Sequence, residues 1–343
     1  MSEATDQWKT TDGLLTLLQL PGVGPAKAIA AARGETDITS LASGEELDEA
    51  RARARETSAA CRASDIRTIG FFDEEFPSAL RSIHAFPAVL YLRGSASAWT
   101  PPGLGVVGTR EPSNFGETAT RELTLLAARA GLAIISGLAL GIDGIAHRAA
   151  LEAGGRTVAV LGSGLDAISP RQHSELASEI TRAGGALISE QPPGVQPSAR
   201  TLVARNRLQS ALSLALLVGQ TGTKGGTLHT VRFAAEQGRP VFCPQPHQPH
   251  PASAGLYALL DRPANELPRL LPAWDKYQRL ADRLGSRPLA QAVTADSAEQ
   301  WVARLMRGSE GGRDISSSID TSGASNSSRS DSPLGQLTFD TLV

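Results

Sequence analysis

The sequence predicts an α/β fold with a doubly wound parallel sheet and a small N-terminal helical domain. Over residues 104–243, short apolar runs alternate with amphipathic stretches, which is the pattern of strands joined by helical crossovers. The runs end on small or hydroxyl residues, as in GVVGTR and AIISGLALG, so their loops meet at one edge of the sheet. Before them, residues 11–33 show two apolar helical segments around a PGVG turn, which predicts the helical domain.

The elements of the predicted sheet follow one another in a regular order. Predicted strands span 104–108, 132–136, 157–161, 186–189, 214–218 and 240–243, and predicted helices span 116–130, 143–153, 171–183, 203–213 and 226–237. Residues 255–306 return to helical spacing with proline breaks, which predicts a helical extension. Beyond Arg307 the chain is rich in Ser, Gly and Asp, which predicts disorder. We therefore expect a helical domain over 1–66, an α/β domain over 67–306 and a disordered tail over 307–343.

Composition restricts the classes of function. The chain has 343 residues and a formal net charge of -2, so a nucleic-acid site would be a local basic patch on a protein that is not basic as a whole. Its two cysteines, Cys61 and Cys243, have no metal-site spacing and are expected to be buried thiols, so we expect no metal and no cofactor. The N-terminal residues show no secretion signal and no segment reaches membrane-spanning length, so we expect a cytoplasmic protein.

The PGVG turn has the character of a helix-hairpin-helix motif. Gly22 and Gly24 permit the turn, and the N–H groups that open the next helix near Lys27 are placed to hold one DNA phosphate without reading sequence. A helical packing module that binds nothing is the alternative.

The strand ends of the α/β region predict an anion-binding edge. Small residues let backbone N–H groups approach a phosphate closely, and arginine and lysine residues of the same loops supply positive charge. The predicted nucleic-acid-binding residues are Gly108, Thr109, Arg110, Ser136, Gly137, Arg205, Asn206, Arg207, Lys224, Gly225 and Gly226. The alternative is structural: Arg205 and Arg207 pair with Asp143 or Glu190 and brace the sheet.

Two other features of this edge have competing interpretations. Asp143 and His147 lie four residues apart on one helical face, and we expect a structural hydrogen-bonded pair in preference to a catalytic dyad, because no nucleophile motif accompanies them. The aromatic residues nearest the loops, Phe115 and Phe233, are candidates for base stacking, although a place in the core is favoured for both.

The predicted core is Rossmann-like, so a dinucleotide enzyme has to be considered. The GVVGTR loop lacks the third glycine of GxGxxG, and no acidic residue is placed to hold a ribose, which disfavours nicotinamide binding. KGGTLHT is similar to the PGGxGT loop of phosphoribohydrolases, but the glutamate that follows in that loop is missing. A nucleotide-binding enzyme stays a minor alternative.

The segments GVVGTREPSNFGE, AIISGLALGIDGIAH, TVAVLGSGLD, ALISEQPPG, ARNRLQSALS and GTLHTVRFAAEQGRPVF together resemble the DNA-processing protein A (DprA, or Smf) family over roughly residues 70–245. The resemblance implies an extended Rossmann-like domain, a non-enzymatic protein that binds and protects single-stranded DNA, help in loading a RecA-type recombinase, and a homodimer. It also implies that the GTR, SG and RNR motifs, which contain Arg110, Gly137 and Arg205, belong to the DNA-binding pocket.

The chain departs from the family pattern at the rim of that pocket. SPRQH, TGTKGGT and VFCPQPHQPH replace the segments usual in the family, and no C-terminal winged helix is recognisable. These departures leave open a second function, in which a DprA-like protein senses DNA or restrains a toxin in a defence system. The final segment LGQLTFDTLV has an imperfect similarity to a sliding-clamp-binding peptide, and incidental packing of the tail is favoured over it.

Overall fold

A computed structural model of the protein describes residues 6–310. Its strands are β1 (Arg67–Gly70), β2 (Val89–Gly94), β3 (Gly103–Val107), β4 (Ala133–Ser136), β5 (Thr157–Leu161), β6 (Ala186–Ser189), β7 (Ala215–Val218), β8 (Val241–Pro244) and β9 (Ala290–Val293). Its α-helices are α1 (Thr11–Leu18), α2 (Pro25–Ala32), α3 (Gly44–Ala63), α4 (Ser78–Arg81), α5 (Asn114–Arg129), α6 (Ile142–Glu152), α7 (Ser174–Arg182), α8 (Ala199–Ala211), α9 (Thr227–Glu236), α10 (Ala254–Asp261), α11 (Leu267–Leu270), α12 (Gln278–Leu284) and α13 (Ala295–Glu310).

The strands form one nine-stranded sheet in the order β1-β2-β6-β5-β4-β3-β7-β8-β9. All neighbours from β6 to β9 are parallel, whereas β2 pairs antiparallel with both β1 and β6. From β3 the chain builds the sheet outward in one direction through β4 to β6 and then in the other through β7 to β9. Strand order therefore reverses between β3 and β7, where a doubly wound sheet leaves a crevice at its carboxyl edge.

The six predicted strands and the five predicted helices of the α/β region are all present, with small shifts at their ends. The predicted doubly wound parallel sheet is confirmed, and β1 and β2 add an antiparallel edge that the sequence analysis did not include. The helical extension predicted for 255–306 also contains β9, which pairs with β8. Helix α13 runs to Glu310, past the predicted start of the tail at Arg307, and the rest of that tail, with the LGQLTFDTLV segment, lies outside the described residues.

The central strands are buried along their whole length, since helices cover both faces of the sheet. Every residue of β3, β4 and β5 is buried, as expected for parallel strands with near-continuous apolar sequence. Burying one Leu, Ile or Val side chain contributes about 1.5–3 kcal/mol, so these strands form a rigid base for the loops that leave them.

The N-terminal helices pack on the β1 edge of the sheet. Leu14 and Leu17 of α1 belong to the same apolar cluster as Leu90 of β2. The Thr11 hydroxyl donates to Asp73 at 2.7 Å and accepts the Gly70 N–H at 3.0 Å, which ties the start of α1 to the end of β1. The helical segment and the sheet thus share one core, and a domain boundary at residue 66 stays a prediction.

Candidate nucleic-acid interface

A pocket of about 410 Å³ opens at the switch point between β3 and β7. Its walls come from the loops that follow these two strands, from one face of α8 and from the start of α9. The lining residues are Val107, Gly108, Thr109, Arg110, Ala139, Asp143, Leu202, Val203, Arg205, Asn206, Gln209, Thr221, Gly222, Lys224, Gly225, Gly226, Thr227 and Thr230.

The rim of the pocket is cationic. Arg110 and Lys224 are exposed, and neither has an ion pair or side-chain hydrogen bond within residues 6–310. Gly225 has φ +124°, a conformation that L side chains rarely adopt, so glycine is needed for the Lys224 loop to take this course. The Asn206 side chain donates to the Gly226 carbonyl at 3.2 Å and holds the loop against α8. Two uncompensated cations therefore stand at the mouth on a fixed loop framework.

Arg205 is the buried cation of the pocket lining, and its side chain defines what is called the pocket floor. Its guanidinium donates to the Gly137 carbonyl at 2.7 Å and to the Val160 carbonyl, and its Nε donates to Asn206 Oδ1 at 3.1 Å. The side chain also lies 3.9 Å from the Asp143 carboxylate. Arg205 thus joins the ends of β4 and β5 to α8, and the structural alternative for this residue is present in the structure.

Asp143 brings a carboxylate into an otherwise basic pocket. Burial raises the pKa of Asp143, while the charge of Arg205 and the Ala139 N–H, which donates at 3.4 Å, oppose the rise by stabilising the ionised form. Gln209 of α8 also lines the pocket, and its side-chain nitrogen is buried with no hydrogen-bond partner in the described part of the chain.

Most of the predicted site residues meet at this pocket. The residues in its lining are Gly108, Thr109, Arg110, Arg205, Asn206, Lys224, Gly225 and Gly226. Ser136 and Gly137 lie behind the lining: the Ser136 hydroxyl donates to the Val106 carbonyl at 2.6 Å, and Gly137 contacts the Arg205 guanidinium. Their direct contact with DNA stays a prediction.

Arg207 lies outside the pocket. It forms an ion pair with Glu190, with one guanidinium nitrogen 2.6 Å from Oε2, and its Nε donates to the Ala85 carbonyl at 2.6 Å. Both side chains are largely buried. Of the two interpretations for Arg207, the contacts favour bracing of the sheet, and its contact with DNA stays a prediction.

The prediction that His147 pairs with Asp143 is wrong, because the His147 ring turns between β4 and β5. Thr157 donates its hydroxyl proton to the Ile134 carbonyl, so it accepts from His147 Nδ1 at 2.7 Å, and His147 Nε2 accepts the Leu138 N–H at 3.3 Å. Burial lowers the pKa of His147 to about 3, which keeps the ring neutral at neutral pH. His147 is structural, as expected, but through other partners.

Several lining residues were absent from the predicted set, notably Leu202, Val203 and Gln209. Helical spacing identifies Leu202 and Gln209, because residues three or four apart on a helix share a face and Arg205 was already predicted to lie at the site. Position 202 is three residues before Arg205 and position 209 is four after it. Thr221 and Gly222, in the loop after β7, also line the pocket, but no spacing pattern in the sequence predicts this.

The helix-hairpin-helix turn is exposed. Gly22 has φ +69°, and Gly24 precedes α2, with Lys27 in the first turn of that helix. The geometry leaves the α2 N-terminus open to a phosphate, and the contact itself stays a prediction.

The other candidate side chains lie away from the pocket lining. Phe115 packs against an apolar cluster, and Phe233 is half-buried beneath the Arg232 guanidinium, 4.0 Å from its ring centre. Cys61 and Cys243 are buried free thiols, as predicted. Between residues 6 and 310 no helix is long and apolar enough to cross a membrane, and no group of His, Cys, Asp or Glu side chains is arranged to hold a metal ion.

The sheet and its pocket define a Rossmann-like protein with a cationic pocket at the topological switch point. The family model for DNA recombination-mediator protein A matches residues 67–274, more than half of the chain. The chain therefore belongs to the DNA recombination-mediator protein A family, as the sequence motifs indicated.

Individual relatives agree with this assignment. Protein Smf of Escherichia coli (strain K12) is 42% identical over 193 residues, which cover 56% of this chain and 52% of that protein. The structure of DNA processing protein A from Streptococcus pneumoniae superposes with a TM-score of 0.62 at 26% identity and covers 73% of this chain and 92% of that one. The Helicobacter pylori DNA processing protein A structure, described for its single-stranded DNA binding mode, gives a TM-score of 0.55 at 25% identity and covers 71% and 96%. The match to the Escherichia coli protein thus spans about half of that relative.

Proposed function

We propose that the protein binds single-stranded DNA at the switch-point pocket and acts in DNA processing and recombination. The observation that carries this proposal is the pair of exposed, unpartnered cations, Arg110 and Lys224, on glycine-containing loops at the mouth of the pocket. A cation without a carboxylate partner is available to a phosphate, and backbone N–H groups of such loops supply further donors. The single-strand binding described for the Helicobacter pylori relative supports the choice of ligand.

The apolar residues in the pocket lining favour single-stranded over double-stranded DNA as the ligand. Leu202 and Val203 are half-buried lining residues of the pocket, where they offer apolar surface to the face of a nucleobase. A duplex presents the same phosphates, but its bases remain stacked and paired and do not reach these walls. Phosphates at the rim and one unpaired base inside account for both parts of the lining.

The wider function is proposed from membership of the family. We infer that the protein is a non-enzymatic mediator that protects single-stranded DNA and helps to load a RecA-type recombinase, and that it acts as a homodimer. The buried hydrogen bonds of His147 and Arg205, which occupy polar groups that a catalyst would need free, support a binding protein over an enzyme.

Fluorescence anisotropy with labelled oligonucleotides across a salt series tests the proposal. We expect Arg110→Ala and Lys224→Ala each to weaken single-strand binding roughly tenfold and to lower the salt slope by about one, because each removes one phosphate contact. Arg269→Ala is the matched control, since Arg269 is an exposed arginine outside the pocket. Unchanged affinity of Arg110→Ala at low salt, or equal affinity of the wild type for single and double strands, contradicts the proposal.

A further inference from the structure

The loop after β8 is a feature that the proposed function does not use. Its sequence, PQPHQPHP over residues 244–251, places His247 and His250 among four prolines, and we call it the histidine loop. Residues 247–250 are exposed, whereas Pro246 is buried. Proline fixes one backbone dihedral angle, so the exposed part of the loop has little conformational freedom to lose when it binds a ligand.

The histidine loop lies beside the switch-point pocket. β8 is parallel to its neighbour β7, so the loops that follow these two strands leave the same edge of the sheet. The Pro251 carbonyl lies 3.6 Å from where a Cβ atom on Gly222 would be, and the Gly255 N–H donates to the Thr221 carbonyl at 2.9 Å. Because Thr221 and Gly222 line the pocket, the end of the histidine loop packs against one of its walls.

Gln220 links the histidine loop to the loop that contains Arg110. Its buried side chain donates to the Ser253 hydroxyl and to the Ser113 hydroxyl, both at 2.8 Å, and its Oε1 accepts the Ser113 N–H at 2.8 Å. Ser113 lies in the loop after β3, three residues beyond Arg110, and Ser253 lies in the turn that follows the histidine loop. The loops after β3, β7 and β8 are therefore fixed to one another.

His247 presents an exposed ring on this framework. The ring packs edge-to-face with Phe115 at the start of α5, with 6.0 Å between centroids and 79° between planes. Phe115 is held in an apolar cluster, and His247 has no hydrogen bond or ion pair among residues 6–310. His250 differs, since its Nδ1 accepts the Ala252 N–H at 3.1 Å and caps the next turn. His247 is therefore the histidine that is available to a ligand.

We propose that His247 stacks on an unpaired base at the rim of the site. The proposal rests on the proposed single-strand binding and extends the site from the pocket onto the loop after β8. Among the described residues that line the pocket none is aromatic, and an aromatic ring beside it supplies the stacking that single-strand sites commonly use. Every base has a π-face, so stacking on His247 strengthens binding without selecting a sequence.

The test compares a thymine oligonucleotide with an abasic strand of the same length. Fluorescence anisotropy measures their affinities for the full chain across a salt series. We expect His247→Ala to weaken binding of the thymine oligonucleotide roughly fivefold, the lower end of the range for losing one base–aromatic stack. It should leave the affinity for the abasic strand and the salt slope unchanged, because stacking needs a base and releases no counterion.

Two further variants make the test specific for stacking. His247→Trp replaces the imidazole with a larger ring that carries no charge, and it should bind the thymine oligonucleotide at least as tightly as the wild type. His84→Ala is the matched control, because His84 is also an exposed histidine and lies outside the pocket lining, before β2. It should bind both strands as the wild type does. Melting temperatures of all variants check that the fold is retained.

The outcomes separate this inference from the proposed function. A loss in His247→Ala that is confined to the thymine oligonucleotide and reversed in His247→Trp supports stacking. An equal loss on both strands, or wild-type affinity of His247→Ala while Arg110→Ala still weakens binding, overturns the inference and leaves the proposed function standing. Failure of the wild type to bind any single strand overturns both.

Discussion

At the scale of single residues, Gly137 shows how a missing side chain organises the pocket floor. A Cβ at this position would overlap the Arg205 guanidinium, whose hydrogen bonds to the Gly137 and Val160 carbonyls join β4 to β5. The SG motif is therefore explained by close packing of an arginine as well as by any contact with a phosphate. The guanidinium is buried beside Asp143, so neither side chain can move into water to make room for a larger residue at position 137.

The variant Gly137→Ala tests this steric explanation. We expect it to lower the free energy of unfolding by about 1–3 kcal/mol, the usual cost of overpacking a close-packed interior, as measured by urea denaturation. Gly44→Ala is the control: Gly44 opens α3 with nothing within 4 Å of a Cβ, so its substitution should be neutral or slightly stabilising. Equal stability of the two variants contradicts the explanation.

His147 gives a second residue-scale prediction, on pH. Its folded-state pKa of about 3 lies below the ordinary value of 6.5, so the neutral ring contributes stability that is fully present above pH 6.5. As pH falls from 6.5 toward 3, the unfolded chain binds a proton that the folded chain does not. Stability is then lost at up to about 1.4 kcal/mol per pH unit.

The measurement is the free energy of unfolding of wild type and His147→Gln from pH 7, just above the ordinary pKa of 6.5, down to pH 4, above the folded-state pKa of about 3. The variant is less stable at neutral pH because it disturbs the contacts with Thr157 and Leu138. It should nevertheless lose stability less steeply as pH falls, since it lacks the titrating ring. Parallel curves for the two proteins would show that His147 does not titrate in this way.

At the scale of elements, α8 serves the pocket and the sheet with different faces. Arg205, Asn206 and Gln209 line the pocket, whereas Arg207 points to Glu190 and to the Ala85 carbonyl. Within the RNR triplet, Arg205 and Asn206 therefore line the pocket, whereas Arg207 stabilises the packing of α8 against neighbouring segments.

This division predicts a non-additive pair of substitutions. Arg207→Ala should cost roughly 3 kcal/mol of stability, because it leaves the largely buried Glu190 carboxylate without its partner. The double variant Arg207→Ala, Glu190→Ala should cost less than the single one, since no unpaired charge remains. Thermal unfolding and single-strand affinity are measured together. A large loss of affinity at unchanged stability would instead show that Arg207 contacts DNA.

The elements show what the sequence could predict and why. The alternation of apolar runs and amphipathic segments located β3 to β8 because a parallel strand buried on both faces is a continuous apolar run. It missed β9, whose sequence AQAV has only one β-branched residue, and β1, which has only four residues, of which Arg67 is exposed and Thr68 is half-buried. The strand-end rule brought Arg110, Arg205 and Lys224 together correctly. It could not distinguish Arg205 from Arg207, since the direction of a side chain depends on tertiary packing.

At the scale of the whole molecule, the cations of the proposed site are confined to the switch point, whereas the apolar core is continuous. The net charge of -2 leaves little general attraction for DNA, so the proposed DNA binding depends on the local cations at the switch point. The core, in contrast, is continuous from the N-terminal helices across the β1 edge into the sheet. A segment that carries an exposed hairpin is thus held rigidly to the same sheet that carries the pocket.

Continuity of the core predicts the effect of removing residues 1–66. If these residues form an independent domain, the remaining chain keeps its melting temperature. Leu14 is fully buried in the cluster that contains Leu90, and its Cδ1 lies 3.3 Å from where a Cβ atom on Gly70 of β1 would be. Removing residues 1–66 exposes this apolar surface, so we expect the truncated chain to have a lower melting temperature and to bind an apolar dye. Leu14→Ala in the full chain should reproduce part of this loss, lowering the free energy of unfolding by about 2–5 kcal/mol in a single cooperative transition.

Lys27→Ala, an exposed substitution in the hairpin, separates loss of stability from loss of phosphate binding. It should leave the melting temperature unaltered and affect only phosphate binding. A truncated chain that melts at the wild-type temperature would restore the boundary at residue 66.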